Sequence, residues 1–408
     1  MKRMIGLPPV CRFLMVATVF LAASAALAGM IPAAKLAEAD NGFAFDLLKQ
    51  IAMGLPGRNI FISPYSASSA LQMLGNGAAG RTKAEIERVL GTKDFPENEL
   101  NGACRALNQS LLSQTNVILD VANSIWLDKG FELKTNFVST NREFFRAEVG
   151  SVDFETPEAA GTINRWAEKS TRGKISHMVT FPFPAYTEVI LANATYFKGK
   201  WAEAFDKNQT HPRYFYLPNG IIKQTPMMSQ RGKFRYQDGN GFQAVELPYA
   251  EGGLQMIVFL PATNSSPAKM LAHFSGSNWD RKIRGRFFQR EGTVVFPKFK
   301  LNYEIDLNQP LQGLGMRQAF IRGAANFSAM GRDPLFISLV KQKSYLDVNE
   351  EGTEAAAVTT VTVRASAMMR PRPPFEMIVD RPFLFVISEK KTHAILFMGI
   401  ITDPTLPG

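Results

Sequence analysis

The chain has 408 residues, 46% apolar and 20% charged, with a formal net charge of +10. This composition excludes a disordered or low-complexity chain and predicts an ordered globular protein with a large core. Four scattered histidines and two cysteines lack the spacing of a zinc site or a disulfide framework, so no metal or other cofactor is expected.

Lys2, Arg3 and Arg12 give a basic start, and an apolar run follows from Phe13 to Ala28. Ala26 and Ala28 sit at signal-peptidase spacing, so residues 1–28 read as a signal peptide cleaved before Gly29. The sixteen-residue run falls short of the ~20 that a spanning helix needs, so no membrane association is expected after its removal. Its loss takes Cys11 and three positive charges, leaving Cys104 as the single cysteine and about +7 of the +10. One thiol forms no internal disulfide, so the fold must hold by packing alone. Residues 29–408 contain no Gly/Ser linker and no solenoid repeat, and read as one domain.

Helical periodicity dominates the first third, as in FAFDLLKQIAMG (Phe43–Gly54). GNGAAG (Gly75–Gly80) matches a dinucleotide fingerprint, but Ala67, Ala70, Leu71 and Leu74 before it recur at helical spacing behind Pro64. The fingerprint needs a preceding strand, so these glycines are assigned to a turn between close-packed helices. In TKAEIERVL, Thr82 is expected as N-cap, with Glu85 completing a capping box. From residue 187 the pattern turns to strands: TEVILANATYF, FQAVELPY, LQMIVFLP and TVVFPKFKL. The basic run RKIRGRFFQR (Arg281–Arg290) is assigned to a solvated surface rather than to nucleic acid or another polyanion. PFLFVIS and HAILFMGIIT flank EKKT and are expected to pair as a buried hairpin. Helices followed by large sheets give an α+β fold. No G-x-S-x-G elbow or activated nucleophile stands out, so no enzyme is expected.

One stretch fits neither strand nor loop: EEGTEAAAVTTVTVRASAMMRPRPP, Glu350–Pro374. Its Thr-, Val- and Ala-rich part is strand chemistry, yet it opens on Gly352 and ends in a Pro-rich run.

Asn59–Ile86 (NIFISPYSASSALQMLGNGAAGRTKAEI), NATYFKGKWAEAF, PKFKLNYEIDL, LGMRQAF, NEEGTEAAA, DRPFLFVI and ILFMG together resemble the signatures of the serpin family, in serpin order, over Phe43–Pro404. The resemblance implies three β-sheets surrounded by about nine helices. It makes residues 350–374 the reactive-centre loop, exposed near the C-terminus. It further implies a suicide substrate: a protease acylates itself on the loop, which then inserts into the main sheet and traps the enzyme.

In an inserted strand, alternate residues face opposite sides. Thr353, Ala355, Ala357, Thr359, Val361, Val363 and Ala365 are small or β-branched and suit a core, whereas Glu354 and Arg364 fall on the other face, where solvent is expected to hydrate them. The first proline after Gly352 is Pro371, so nothing earlier bars a central strand. By the resemblance, Glu350, Glu351, Gly352, Thr353, Glu354, Ala355, Ala356 and Ala357 form the hinge. The family's usual count from Glu350 makes Ser366–Ala367 the reactive bond, with Ala365–Ser366 as the shorter variant. A small residue there suits an elastase-like or subtilisin-like serine protease. Arg364 would suit a trypsin-like enzyme and Met368 a chymotrypsin-like one, and cysteine proteases use the same trap chemistry.

The family's shutter maps onto Ser63, Ser66 and Asn193, with Gln342 where the family has His. Glutamine both donates and accepts, so the network is expected to close without a pH response. Asn326-Phe327-Ser328-Ala329 and Ile400 are further departures. No basic helix follows Thr82, so glycosaminoglycan activation is not implied. The expected protein is an exported, extracellular monomer forming a covalent 1:1 complex with its protease, with a periplasmic or cell-surface location if bacterial. The alternatives are a non-inhibitory serpin acting as ligand carrier, chaperone or surface-binding protein, and a secreted hydrolase.

Overall fold

The computed structural model describes residues 33–112, 117–239, 241–250, 253–332, 334–353 and 373–406. The expected signal peptide, the hinge positions Glu354–Ala357 and the bond Ser366–Ala367 lie outside these residues.

The periodic first third folds as α1 (33–54), α2 (Pro64–Gly75), α3 (Gly80–Leu90), α4 (Glu97–Leu112), α5 (Thr135–Phe145) and α6 (Pro157–Ser170). Shorter pieces are α7 (Pro267–Leu271), α8 (Gly276–Asn278) and α9 (Asn308–Gly313), giving nine α-helical segments among the described residues. The strands are β1 (Ile60–Ile62), β2 (Val117–Asp128), β3 (Glu148–Val152), β4 (Val189–Lys200), β5 (His211–Tyr216), β6 (Ile222–Gly239), β7 (Phe242–Pro248) and β8 (Leu254–Pro261). They continue as β9 (Phe288–Pro297), β10 (Phe299–Asp306), β11 (Ile337–Asn349), β12 (Gly352–Thr353), β13 (Phe375–Ile378), β14 (Phe383–Glu389) and β15 (Ile395–Ile401).

α2 starts as its sequence dictates. Ser63 is the N-cap, its side chain accepting from the Ser66 N–H, and Pro64 occupies the first turn, where its missing donor costs nothing. The glycine turn after it lets α2 approach its neighbours, since a Cβ on Gly77 would meet the Met330 Cβ at 2.7 Å. α3 departs from expectation. It begins at Gly80 behind Ala79, with no side-chain cap, and Thr82 lies inside it. Thr82 instead accepts from the Asn326 N–H (2.9 Å), and Glu85 accepts from the N–H groups of Arg317 and Gln318 (2.8 Å each). Buried tertiary donors have taken the side chains that a free helix end would have used.

Two sheets carry the fold. The six-stranded one runs β10-β11-β12-β4-β2-β3. The nine-stranded one runs β1-β15-β14-β8-β7-β6-β9-β13, with β5 on β6. The 18-residue β6 pairs with β5 in its first part and with β7 in its last, so the family's second and third sheets are continuous through it. β14 and β15 pair antiparallel and are buried throughout, as the hairpin pattern predicts. Aromatic contacts join the two sheets, with Phe197 of β4 5.7 Å from Phe397 of β15. A second, smaller core covers the other face of the six-stranded sheet, where Ile163 and Ala167 of α6 pack with Ile190, Ala192 and Ala194 of β4. That face is therefore covered beneath α6, while Glu354 and Arg364, expected on it, lie outside the described residues.

The basic run is also less solvated than expected. Arg284 and Arg290 are only 13% and 16% exposed, paired with Asp280 (3.5 Å) and Asp238 (2.8 Å), while Arg281 and Arg286 face solvent. Among the described residues no three His, Cys, Asp or Glu side chains form a metal-binding group, and no helix is long and apolar enough to cross a membrane.

Candidate functional site: the hinge and the sheet it enters

The chain leaves β11 at Asn349 and turns back at once. Gly352 and Thr353 form β12, wedged between the ends of β11 and β4 and antiparallel to both. Thr353 lies opposite Val348 and Gly199 and is fully buried. Its Oγ1 is 3.1 Å from the Tyr249 hydroxyl. Gly352 has φ of +142°, and a Cβ there would lie 2.2 Å from the Gly199 carbonyl oxygen. Only glycine permits that backbone approach.

Side chains from distant segments hold this turn. The Trp201 indole stacks on Tyr249 at 4.7 Å and donates its Nε1–H to the Asn349 carbonyl (3.0 Å). The backbone N–H groups of Trp201 and Phe205 donate to the carbonyls of Glu351 (3.1 Å) and Glu350 (2.8 Å). The Glu350 carboxylate receives Lys298 Nζ at 2.9 and 3.0 Å and the Thr210 hydroxyl at 2.8 Å. Burial pushes its pKa up, but the hydrogen bonds from Lys298, its own N–H and Thr210 outweigh that and hold it below the usual range. Glu351 pairs with Lys207. Trp201, Tyr249, Lys298 and Thr210 escaped the sequence reading because nothing local ties them to a turn some fifty to 150 residues away in the chain.

Beyond β12 the two flanking strands close on each other. β11 and β4 pair in parallel from Ile337–Val189 to Leu346–Phe197, with Gln342 opposite Asn193. The four expected shutter residues meet there and are all buried. Gln342 Oε1 accepts from the Ser63 N–H (2.9 Å), and its Nε2 donates to the Ser63 carbonyl (2.9 Å) and to Asn193 Oδ1 (2.6 Å). Ser63 Oγ donates to the Leu396 carbonyl of β15 (2.8 Å), tying the shutter to the other sheet. Asn193 Nδ2 donates to Ser66 Oγ and to Asn123 Oδ1. Asn123, in β2, is the member that sequence reasoning missed. Its only signal is a polar residue in a strand whose neighbours pack, since Asn123 lies directly opposite Asn193.

The glutamine thus closes the network, as expected, with both faces of its amide in use. A central pair of strands is thus stapled by side-chain amides, with the two-residue β12 lodged between their ends. Comparison with known proteins agrees with this architecture. The family model described as Serpin (serine protease inhibitor) matches residues 38–404. The chain belongs to the serpin family.

Among its relatives, glia-derived nexin of Rattus norvegicus is 34% identical over 379 residues, covering 90% of this chain and 94% of that one. Plasminogen activator inhibitor 1 of Neovison vison is 33% identical, covering 97% and 99%. An uncharacterized serpin-like protein of Thermococcus kodakarensis is 35% identical, covering 89% and 84%. Of solved structures, native protease nexin-1 with heparin superposes with a TM-score of 0.82 at 31% identity, covering 91% of this chain and all of that one. The thermophilic serpin tengpin in its native state gives 0.83 at 28% identity, covering 90% and 94%.

Proposed function

We propose that this protein is an exported inhibitor of serine proteases, a suicide substrate that traps the acyl-enzyme by inserting its cleaved loop between β11 and β4. The observation that carries this reading is β12, which already sits between those strands in the register an inserted strand needs. Inhibitors among the relatives, such as plasminogen activator inhibitor 1, support it.

Continued without a bulge, the register of Thr353 sets residue 355 opposite Leu346 and Phe197, 357 opposite Ser344 and Thr195, and 359 opposite Gln342 and Asn193. Directly opposed residues share a face. Leu346, Ser344 and Gln342 are buried toward the core, so the odd-numbered loop residues enter it with them. Thr359 then arrives between the two shutter amides, and its hydroxyl replaces the bond they now make to each other. Glu354 falls beside Asp347 and Lys198, and Arg364 reaches the level of Glu188, beyond either end of the strip beneath α6. Insertion exchanges one strand pairing for two. The net gain is one pairing of roughly ten hydrogen bonds, on the order of 10 kcal/mol at ~1 kcal/mol each, comparable to the stability of a domain.

The reactive bond is placed at Ser366–Ala367, which favours an elastase-like or subtilisin-like target, with residues 1–28 removed on export. Incubation with elastase-like, trypsin-like and chymotrypsin-like proteases is expected to give a 1:1 covalent complex that survives boiling in detergent. The released fragment is expected to start at Ala367 by mass. Simple cleavage by every enzyme, with no complex, contradicts the proposal. A non-inhibitory ligand carrier is the second reading, since thyroxine-binding globulin in complex with thyroxine shares the fold at a TM-score of 0.83 and 27% identity. It predicts cleavage without complex formation.

A further inference from the structure

A cavity of about 390 Å³ opens behind the hinge, between β6, β7, β8 and the start of the segment after β4. Its volume is in the range of small-molecule sites. Trp201, Phe205, Phe234 and Leu247 form an apolar part, all of them buried. The polar part is dominated by donors. Gln255 is 3% exposed, and its Nε2 has no acceptor among the described residues. Arg284 Nε is likewise buried without an acceptor, although the guanidinium touches Asp280 through Nη1. Lys390, half-buried, lines the same wall. Two carboxylates also line it, Glu203 and Glu246, and Glu246 is held by Arg235 Nε at 2.8 Å while lying within electrostatic reach of Arg284 and Lys390. Burial depresses the pKa values of both Arg284 and Lys390, only partly offset by Asp280 and Glu246 beside the first and by Glu246 and Glu389 beside the second.

We propose that this cavity binds a small amphiphilic carboxylate, an acyl or aryl body ending in one anionic group. The apolar wall takes the body, and Gln255, Arg284 and Lys390 supply the donors that a carboxylate accepts. The site also reaches the hinge. Trp201 is at once a cavity wall, the stacking partner of Tyr249 and the donor to Asn349, while Phe205 donates its N–H to Glu350. An occupant packed on Trp201 and Phe205 restrains the residues that hold Gly352 and Thr353 in place. Neither the cavity nor its contents depends on the loop being inhibitory.

The test uses the uncleaved protein with no protease present, so its failure leaves the inhibitory reading untouched. Decanoate is titrated by calorimetry, with decan-1-ol as the uncharged probe of equal length, and amide exchange of residues 349–353 is followed in parallel. Decanoate is expected to bind one per chain, at least tenfold tighter than decan-1-ol, and to slow exchange at the hinge severalfold. Lys390→Gln is expected to weaken decanoate at least tenfold, whereas Lys391→Gln, an exposed neighbour outside the cavity, leaves it unchanged. Absence of binding, equal binding of the alcohol, equal loss in both variants, or binding without an effect on hinge exchange would each overturn the proposal.

Discussion

Asp40, on α1, is a single carboxyl whose titration is expected to bear on the stability of the whole chain. It is 5% exposed, accepts a hydrogen bond from Ser68 Oγ on α2, and lies near Tyr65 and Cys104, both themselves pushed up by burial. Burial raises the Asp40 pKa to about 7, against a smaller opposing effect from Ser68. Between pH ~4 and ~7 the folded protein therefore keeps a proton that the unfolded chain has released, so stability falls as pH rises through that window and levels off above it. The slope is about 1.4 kcal/mol per pH unit, a few kcal/mol in all as an upper bound. Asp40→Asn is expected to flatten the change in thermal midpoint between pH 5 and 7, and an unchanged slope would contradict this. None of it was legible in the sequence, where Asp40 is one acid ahead of the helical run that starts at Phe43. Gly352 and Thr353 entered the hinge through the family resemblance, whereas their chemistry alone read only as the loop-like opening of a strand-like run. Their holders Trp201, Tyr249 and Lys298 were not legible, because a tertiary partner leaves no mark on local pattern.

The strands and helices show the same division. Continuous apolar runs such as PFLFVIS declared buried strands, and Ser63 with Pro64 declared the start of α2, because those signals rest on neighbours in the chain. The α3 start was misread because Thr82 and Glu85 satisfy a capping rule yet serve the segments around Asn326 and Arg317. Pairing order across the sheets was not readable from the residues, because ladder partners such as Gln342 and Asn193 lie far apart in the chain. The shutter is where elements, rather than residues, respond to a mutation. Gln342 carries three hydrogen bonds that link β11, β4 and the N-terminus of α2. Gln342→Leu leaves the Ser63 N–H and the Asn193 amide buried without that partner, at a cost of about 2–3 kcal/mol. The thermal midpoint is expected to fall by several degrees, with faster amide exchange along β4 and β11. Unaltered exchange in those strands would show that the amide staple does not hold them together.

At the scale of the whole molecule, the described structure is a sheet with one strand barely begun. The two residues of β12 already bond to strands on both sides, while from Leu346–Phe197 onward those strands bond to each other. On the proposed mechanism, a loop severed near Ser366 would gain a strand's worth of pairing on both edges, with Val361 and its odd-numbered neighbours entering the core. The cleaved protein is therefore expected to unfold tens of degrees above the intact one. Thr353→Arg puts a guanidinium into a position with no exposed surface, between Val348, Gly199 and the Tyr249 hydroxyl, none of which carries a counter-charge. That variant is expected to be cut at the same bond while gaining little in midpoint and forming no covalent complex. The comparison isolates the sheet from the protease pocket, because residue 353 lies thirteen positions before Ser366. If the cleaved variant gained as many degrees as the cleaved wild type, the strand would be entering by another register, and the face assignment of every loop residue would reverse with it.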